Sequence, residues 1–159
     1  MSSFYYLMSS FTPEPPKVGS LNKPLGEHLT LLNGFSIAYR YKAGFIANLT
    51  RLALWMPPFT INPTVQAHYG ENGEYEVWKV EEPTGSLFSL HNSLCEMVKS
   101  SAGFIANPFH GENFSPHVSD WVNPRPVFVP HFVLVNHQNG FGVDVSVDAT
   151  FLLRGERVV

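Results

Sequence analysis

The sequence predicts a mixed α+β fold, and three observations predict it. Short runs alternate apolar and polar residues as half-buried strands do, and two longer stretches repeat apolar residues at helical spacing. Thirteen prolines and 12 glycines in 159 residues punctuate these segments with turns, which suits a sheet-rich arrangement better than a helical bundle.

Taken in order, Phe4 to Met8 is an aromatic run of strand character. Thr12-Pro13-Glu14-Pro15-Pro16 after it must be loop, because proline fixes φ and removes a donor. Gly26 precedes a second strand, His28 to Leu32, which Asn33-Gly34 ends. Its alternation places His28, Thr30 and Leu32 on one face and Leu29 and Leu31 on the other. From Tyr41 to Trp55 the residues Tyr41, Phe45, Leu49 and Leu52 recur at helical spacing, and Pro57-Pro58 stops that helix. Strands over Phe59 to Tyr69 and Tyr75 to Val80 follow, joined by the turn Gly70-Glu71-Asn72-Gly73. The clearest helix is Ser86 to Ser101, with Leu87, Leu90, Leu94 and Val98 as its stripe. Thr84 or Ser86 is its expected N-cap and Gly103 its C-terminal stop. A further strand spans Phe114 to Trp121. Two more, Val127 to Asn136 and Phe141 to Leu153, are joined by a turn at Gln138-Asn139-Gly140. The hexapeptide Ala43 to Asn48 recurs at Ala102 to Asn107, out of register with any two-lobe duplication, and reads as coincidence.

The length fits one domain over residues 1–159 with a proper core. A net charge of −3 argues against capture of duplex DNA or long RNA, which usually takes a basic face. Lys17, Lys23, Arg40, Lys42 and Arg51 still allow a local basic pocket. The single cysteine, Cys95, excludes an intramolecular disulfide and a multi-cysteine zinc site, and no apolar run reaches the ~18 residues of a membrane span. Met1-Ser2-Ser3 lacks the pattern of a secretory signal, so the expected location is cytoplasmic, and the sequons at Asn48 and Asn113 are without meaning there.

Two short motifs carry chemistry: His28-Leu29-Thr30 and His117-Val118-Ser119. Cleaving a phosphodiester requires proton removal from a nucleophile, protonation of a leaving oxygen and stabilisation of phosphoryl charge. Two imidazoles can do the first two jobs near neutral pH without a metal. On a strand, positions i and i+2 project the same way, about 7 Å apart, so each histidine is accompanied by a hydroxyl that can hold a phosphate oxygen.

The pair, 89 residues apart, resembles the 2H phosphoesterase superfamily, which includes 2′-5′ RNA ligase-like proteins, cyclic nucleotide phosphodiesterases and phage anti-CBASS nucleases. His28-Leu29-Thr30-Leu31-Leu32 has the apolar surroundings of the first family motif. Ser115-Pro116-His117-Val118-Ser119 resembles the second, preceded by an amphipathic helix carrying Leu90, His91 and Leu94; Asp120 departs from it, standing where an apolar residue is usual. The resemblance implies a two-lobed fold with antiparallel sheets around a central cleft and helices outside. It implies catalysis by His28, Thr30, His117 and Ser119, with no cofactor and no metal. The substrate it implies is a small nucleotide, a cyclic di- or trinucleotide messenger first, as for a phage protein in its host's cytoplasm. RNA end processing at 2′,3′-cyclic phosphates or 2′-5′ linkages is the alternative, and a non-catalytic nucleotide-binding module is the reading from another class.

Blander readings stand beside these. Either motif histidine can be an ordinary strand or turn residue, and Thr30 and Ser119 depend on them. His110 and His117 are seven apart and His131 and His137 six apart, which matches no common zinc or iron spacing. His91 reads as a satisfied core histidine and Cys95 as a packed thiol. Tyr5, Tyr6, Tyr39, Tyr41 and Trp121 lie near the motifs in sequence; Tyr5, Tyr39 and Trp121 are the candidates to stack on a nucleobase, against core packing as the ordinary fate of an aromatic ring.

Overall fold

A computed structural model describes residues 4–20, 26–138 and 144–156. In chain order it contains β1 (Phe4–Ser10), β2 (Gly19–Ser20), β3 (His28–Ser36), α1 (Tyr39–Trp55), β4 (Phe59–Tyr69), β5 (Tyr75–Glu81), α2 (Ser86–Ser100), β6 (Phe104–Ile105), a 3-10 turn at Gly111–Asn113, β7 (His117–Ser119), β8 (Val127–Val129), β9 (His131–Gln138) and β10 (Asp144–Leu152). All strand pairings among the described residues are antiparallel. The larger sheet has the order β2-β10-β9-β1-β3-β6 and the smaller β7-β5-β4-β8. This is the α+β arrangement expected from the sequence, with antiparallel sheets as the resemblance implied.

The alternation in β1 and β3 decides where the core lies. Tyr5, Leu7, Leu29, Leu31 and Phe35 are buried with Phe45, Leu49 and Ala53 of α1 and Leu87, Leu90, Leu94 and Val98 of α2, so both helices cover that face. The opposite face carries Tyr6, Val133, Val135 and Val147 as a second buried cluster. Met8 pairs directly with Thr30 and Ser10 with His28, and directly paired residues share a face, so the first motif lies on this second face.

Several boundaries differ from the expectation, each for a local reason. β3 runs through Asn33-Gly34 instead of ending there, because Gly34 takes φ +57 at an irregularity and the strand resumes with Phe35 opposite Tyr5. Leu32 is consequently buried beside Leu31 and not on the face of His28. The run Val127 to Asn136 divides at Pro130: β8 joins the smaller sheet and β9 the larger. The strand expected over Phe114 to Trp121 shrinks to His117–Ser119, since Asp120 adopts φ +52 and leaves the extended conformation. Of the expected turn at Gln138-Asn139-Gly140, Asn139 and Gly140 lie outside the described residues, as does Lys23.

Neither Thr84 nor Ser86 is the N-cap of α2. That position is Gly85, at φ +84 and with no side-chain cap. Glu82 does the capping from outside the helix: its Oε2 accepts the Leu87 N–H at 3.2 Å, and its Oε1 accepts the Thr84 N–H at 3.1 Å and the Thr84 hydroxyl. Burial alone would raise this carboxyl's pKa, but hydrogen bonds from Thr84, Leu87 and Gly85 outweigh it and hold the group below the ordinary carboxylate value. A carboxyl whose pKa is lower folded than unfolded contributes stability present above the unfolded value and lost as pH falls through the folded one. Glu82→Gln is expected to destabilise by about 1–2 kcal/mol at pH 7. Denaturant midpoints measured across pH should show the gap from wild type closing on the acid side of the ordinary carboxylate value.

The C-terminus of α2 is closed by a paired-turn motif in which Ala102 donates to Lys99 O at 3.1 Å and Gly103 to Val98 O at 2.8 Å. The left-handed residue is Ala102, at φ +54, not the glycine expected to stop the helix. Gly103 is needed for a different reason: a Cβ there would meet Val98 Cγ1 at 2.7 Å and the Ser36 carbonyl at 2.8 Å. Alanine in this region costs about 1 kcal/mol relative to glycine, so Ala102→Gly should raise the unfolding midpoint by that order while Gly103→Ala lowers it. Thermal unfolding of the two variants checks both signs.

Candidate functional site

The motif strands β3 and β7 belong to different sheets, yet their Cα atoms approach within 8 Å of each other. Each strand begins on its histidine, and each is pinned by the residue after it: Leu29 and Val118 are fully buried in the shared core. His28, Thr30 and His117 are left half-buried and Ser119 exposed.

The two rings are held in the same way. His28 Nδ1 lies 2.7 Å from the Gly26 carbonyl, and His117 Nδ1 lies 2.9 Å from the Ser115 carbonyl, in each case two residues upstream. A carbonyl oxygen only accepts, so Nδ1 carries the hydrogen in both rings and donates it. The neutral imidazole then has its lone pair on Nε2, the nitrogen available for proton transfer.

Residues flanking the motifs are stitched together. Glu27, next to His28, accepts the Val122 N–H on Oε2 at 3.1 Å, and its Oε1 lies 3.9 Å from Arg125 Nη1. Phe11 donates its N–H to the Glu27 carbonyl at 3.2 Å and sets its ring 5.5 Å from that of Trp121. Asp120, the departure from the family pattern, marks both an edge and an end. β7 is the outer strand of the smaller sheet, and its extended backbone stops there with the Asp120 N–H on the Glu76 carbonyl at 3.3 Å.

Two side chains beside His117 were not singled out from the sequence. Lys79 is its direct partner across β5 and β7, half-buried and on the same face. The Tyr69 ring meets the His117 ring edge-on, with centroids 4.9 Å apart, and its hydroxyl lies 3.3 Å from Ser115 Oγ. Neither is legible without the strand register, because 38 and 48 residues separate them from His117.

The aromatic candidates are distributed differently. Tyr5 is buried, stacks on Phe35 at 5.8 Å and pairs with it, five residues along β1 from Ser10, the partner of His28, or about 17 Å. Tyr39 is 87% exposed at the start of α1, beyond that same far end of the strand. The structure therefore does not bring Tyr5 or Tyr39 together with the motifs. Trp121 is close to them, but buried, with its Nε1 lacking a hydrogen-bond partner among the described residues. Of the other histidines, His131 is buried and donates from Nε2 to the Thr12 carbonyl at 2.9 Å; His110 donates from Nδ1 to the Asn107 carbonyl at 2.6 Å. Among the described residues no three His, Cys, Asp or Glu side chains are grouped to hold a metal, and no helix is long and apolar enough to cross a membrane.

The sequence matches no protein-family model and no curated protein. Solved structures do match. Escherichia coli LigT complexed with 3′-AMP superposes with a TM-score of 0.66 at 16% identity, covering 96% of this chain and 99% of that one. A structure described as a phosphoesterase gives the same values. A protein of Thermus thermophilus gives a TM-score of 0.63 at 21% identity, covering 99% of this chain and all of its own. Other LigT structures in the same range hold NADP+, ATP or phosphate. The chain thus has a LigT-like fold, with antiparallel sheets and two α-helices among the described residues, as the motif resemblance implied.

Proposed function

We propose that this chain, built on the LigT-like fold, is a metal-independent phosphodiesterase whose two motifs act on one phosphate. The observation that carries the reading is the matched anchoring of His28 and His117. Two rings on neighbouring strands of different sheets each spend Nδ1 on an upstream carbonyl and keep Nε2 for chemistry. One Nε2 takes a proton from water or from a ribose 2′-hydroxyl as that oxygen attacks phosphorus. The other, protonated, gives its proton to the departing ribose oxygen as the P–O bond breaks. Thr30 and Ser119 donate hydrogen bonds to the non-bridging oxygens, and Lys79 offsets their charge. The near-equivalence of the two halves lets the histidines exchange roles between transesterification and hydrolysis.

The substrate in this reading is a small nucleotide. LigT is seen with 3′-AMP, ATP, NADP+ and phosphate, and the net charge of −3 here disfavours long RNA. Within that class a cyclic di- or trinucleotide comes first and a 2′,3′-cyclic phosphate end second. Incubation in EDTA with cyclic di- and trinucleotides, 2′,3′-cyclic nucleotides and 2′-5′ oligoadenylates tests this. Turnover of at least one, abolished in the double His28→Ala, His117→Ala variant, is the expected result. Tight calorimetric binding with no turnover of any would make the protein a nucleotide-binding module instead.

A further inference from the structure

His91 is fully buried on α2, outside the motif pair, and both of its ring nitrogens are engaged. Nδ1 lies 2.7 Å from the Leu31 carbonyl, so it carries the hydrogen and donates. Nε2 is therefore the acceptor, and takes the Gly111 N–H at 2.9 Å. Leu31 adjoins Thr30 in the first motif strand. Gly111 opens the 3-10 turn of the segment that leads into the second. Phe114, at the end of that turn, lies flat on the His91 ring, 3.8 Å between centroids and 4° between planes, and the next residue is Ser115, whose carbonyl anchors His117. One imidazole thus links the backbone of the first motif to the support of the second.

We propose that His91 is a positioning residue that sets the two motifs in register, and that only its neutral, Nδ1-protonated form does so. The inference rests on the phosphodiesterase reading for its effect on rate, but its structural half stands without it. A proton on Nε2 removes the only lone pair that can accept from Gly111 and turns two donors head-on. A buried N–H left unpaired in this way is destabilising, so the turn must shift. The titratable groups facing the ring are Cys95 from its own helix, with Sγ 3.5 Å from Nε2, and His110 from the loop; β3 presents a backbone carbonyl. Burial pushes the His91 pKa down. The Leu31 bond opposes that and the nearby His110 adds to it, with a net lowering. Stability from the neutral ring is then present above the ordinary histidine value and lost as pH falls through the lower folded one.

Two variants divide the linkage. His91→Asn can keep the donor toward Leu31 and loses the acceptor for Gly111; His91→Gln can keep the acceptor and loses the donor. In the full chain with labelled histidines, His91→Asn is expected to move the His117 ring resonances and leave those of His28 nearly in place. It should also lower kcat about tenfold with less than a twofold change in KM, and His91→Gln should preserve the His117 signals. In wild type the Gly111 amide and the His91 ring should titrate together, below the ordinary histidine pKa. A loss of thermal stability with unmoved His117 signals in His91→Asn, or a Gly111 amide that ignores the His91 titration, would overturn the proposal. Wild type inactive on every substrate would sink the phosphodiesterase reading alone, since the resonance measurements still decide the linkage.

Discussion

His28→Ala and His117→Ala should each lower turnover by about 10²–10⁴-fold, the range a single proton-transfer group contributes. The double variant should lose little more than either single one, because base and acid serve one displacement and removing either disables it. Both rings are half-buried, held through Nδ1 and, for His117, by the edge-on Tyr69 ring, so truncation leaves the core untouched: Leu29 and Val118, which hold the two strands, remain in place. Unfolding midpoints close to wild type should therefore accompany the loss of activity. His→Asn at either position retains a donor for the upstream carbonyl but no Nε2 base, and should be as inactive as alanine. Steady-state rates with circular dichroism on the same preparations check the set. Thr30→Ala and Ser119→Ala should cost less, since each removes one donor and no proton-transfer step.

The second large effect is expected at Lys79. It stands directly opposite His117 on the same face of the β5–β7 pair, and its partial burial removes it from full solvent screening. A phosphodiester carries one negative charge, and its transition state gathers more on the non-bridging oxygens. Lys79→Ala should lower kcat/KM by about 10–10²-fold, approaching the loss seen for a single donor at a developing oxyanion. Lys79→Arg should recover part of it, because the charge returns with a different reach. The salt dependence of kcat/KM should be shallower in Lys79→Ala than in wild type. An unchanged kcat/KM would remove Lys79 from the site and leave it a surface strand residue.

How much of this was legible in the sequence varies with how local the signal is. The Phe45 and Leu49 repeat located α1, Leu87 to Val98 located α2, and the turn Gly70 to Gly73 located the β4–β5 hairpin, each from a pattern contained within the segment. The repeated hexapeptide shows where local patterns fail. At Ala43 to Asn48 it is helical, with its phenylalanine buried; at Ala102 to Asn107 the same residues close a helix and form β6, with the phenylalanine 68% exposed. Tertiary partners, not propensity, decide between them. The same holds for β3, which continues past Gly34 because Tyr5 waits opposite Phe35. The histidine motifs were readable because each is a triplet. Lys79 and Tyr69 were not, because only register places them beside His117. Tyr5 and Tyr39 are near His28 along the chain, but a strand of extended residues carries them away from it in space.

In the proposed function His28 and His117 address a single phosphate. Titrating the labelled full chain with inorganic phosphate, then with a 2′,3′-cyclic nucleotide, while following both imidazole resonances tests it directly. The His28 and His117 Nε2 signals should move together along one saturation curve, with one Kd for each ligand. Movement of one ring without the other, or two separate curves, would contradict it.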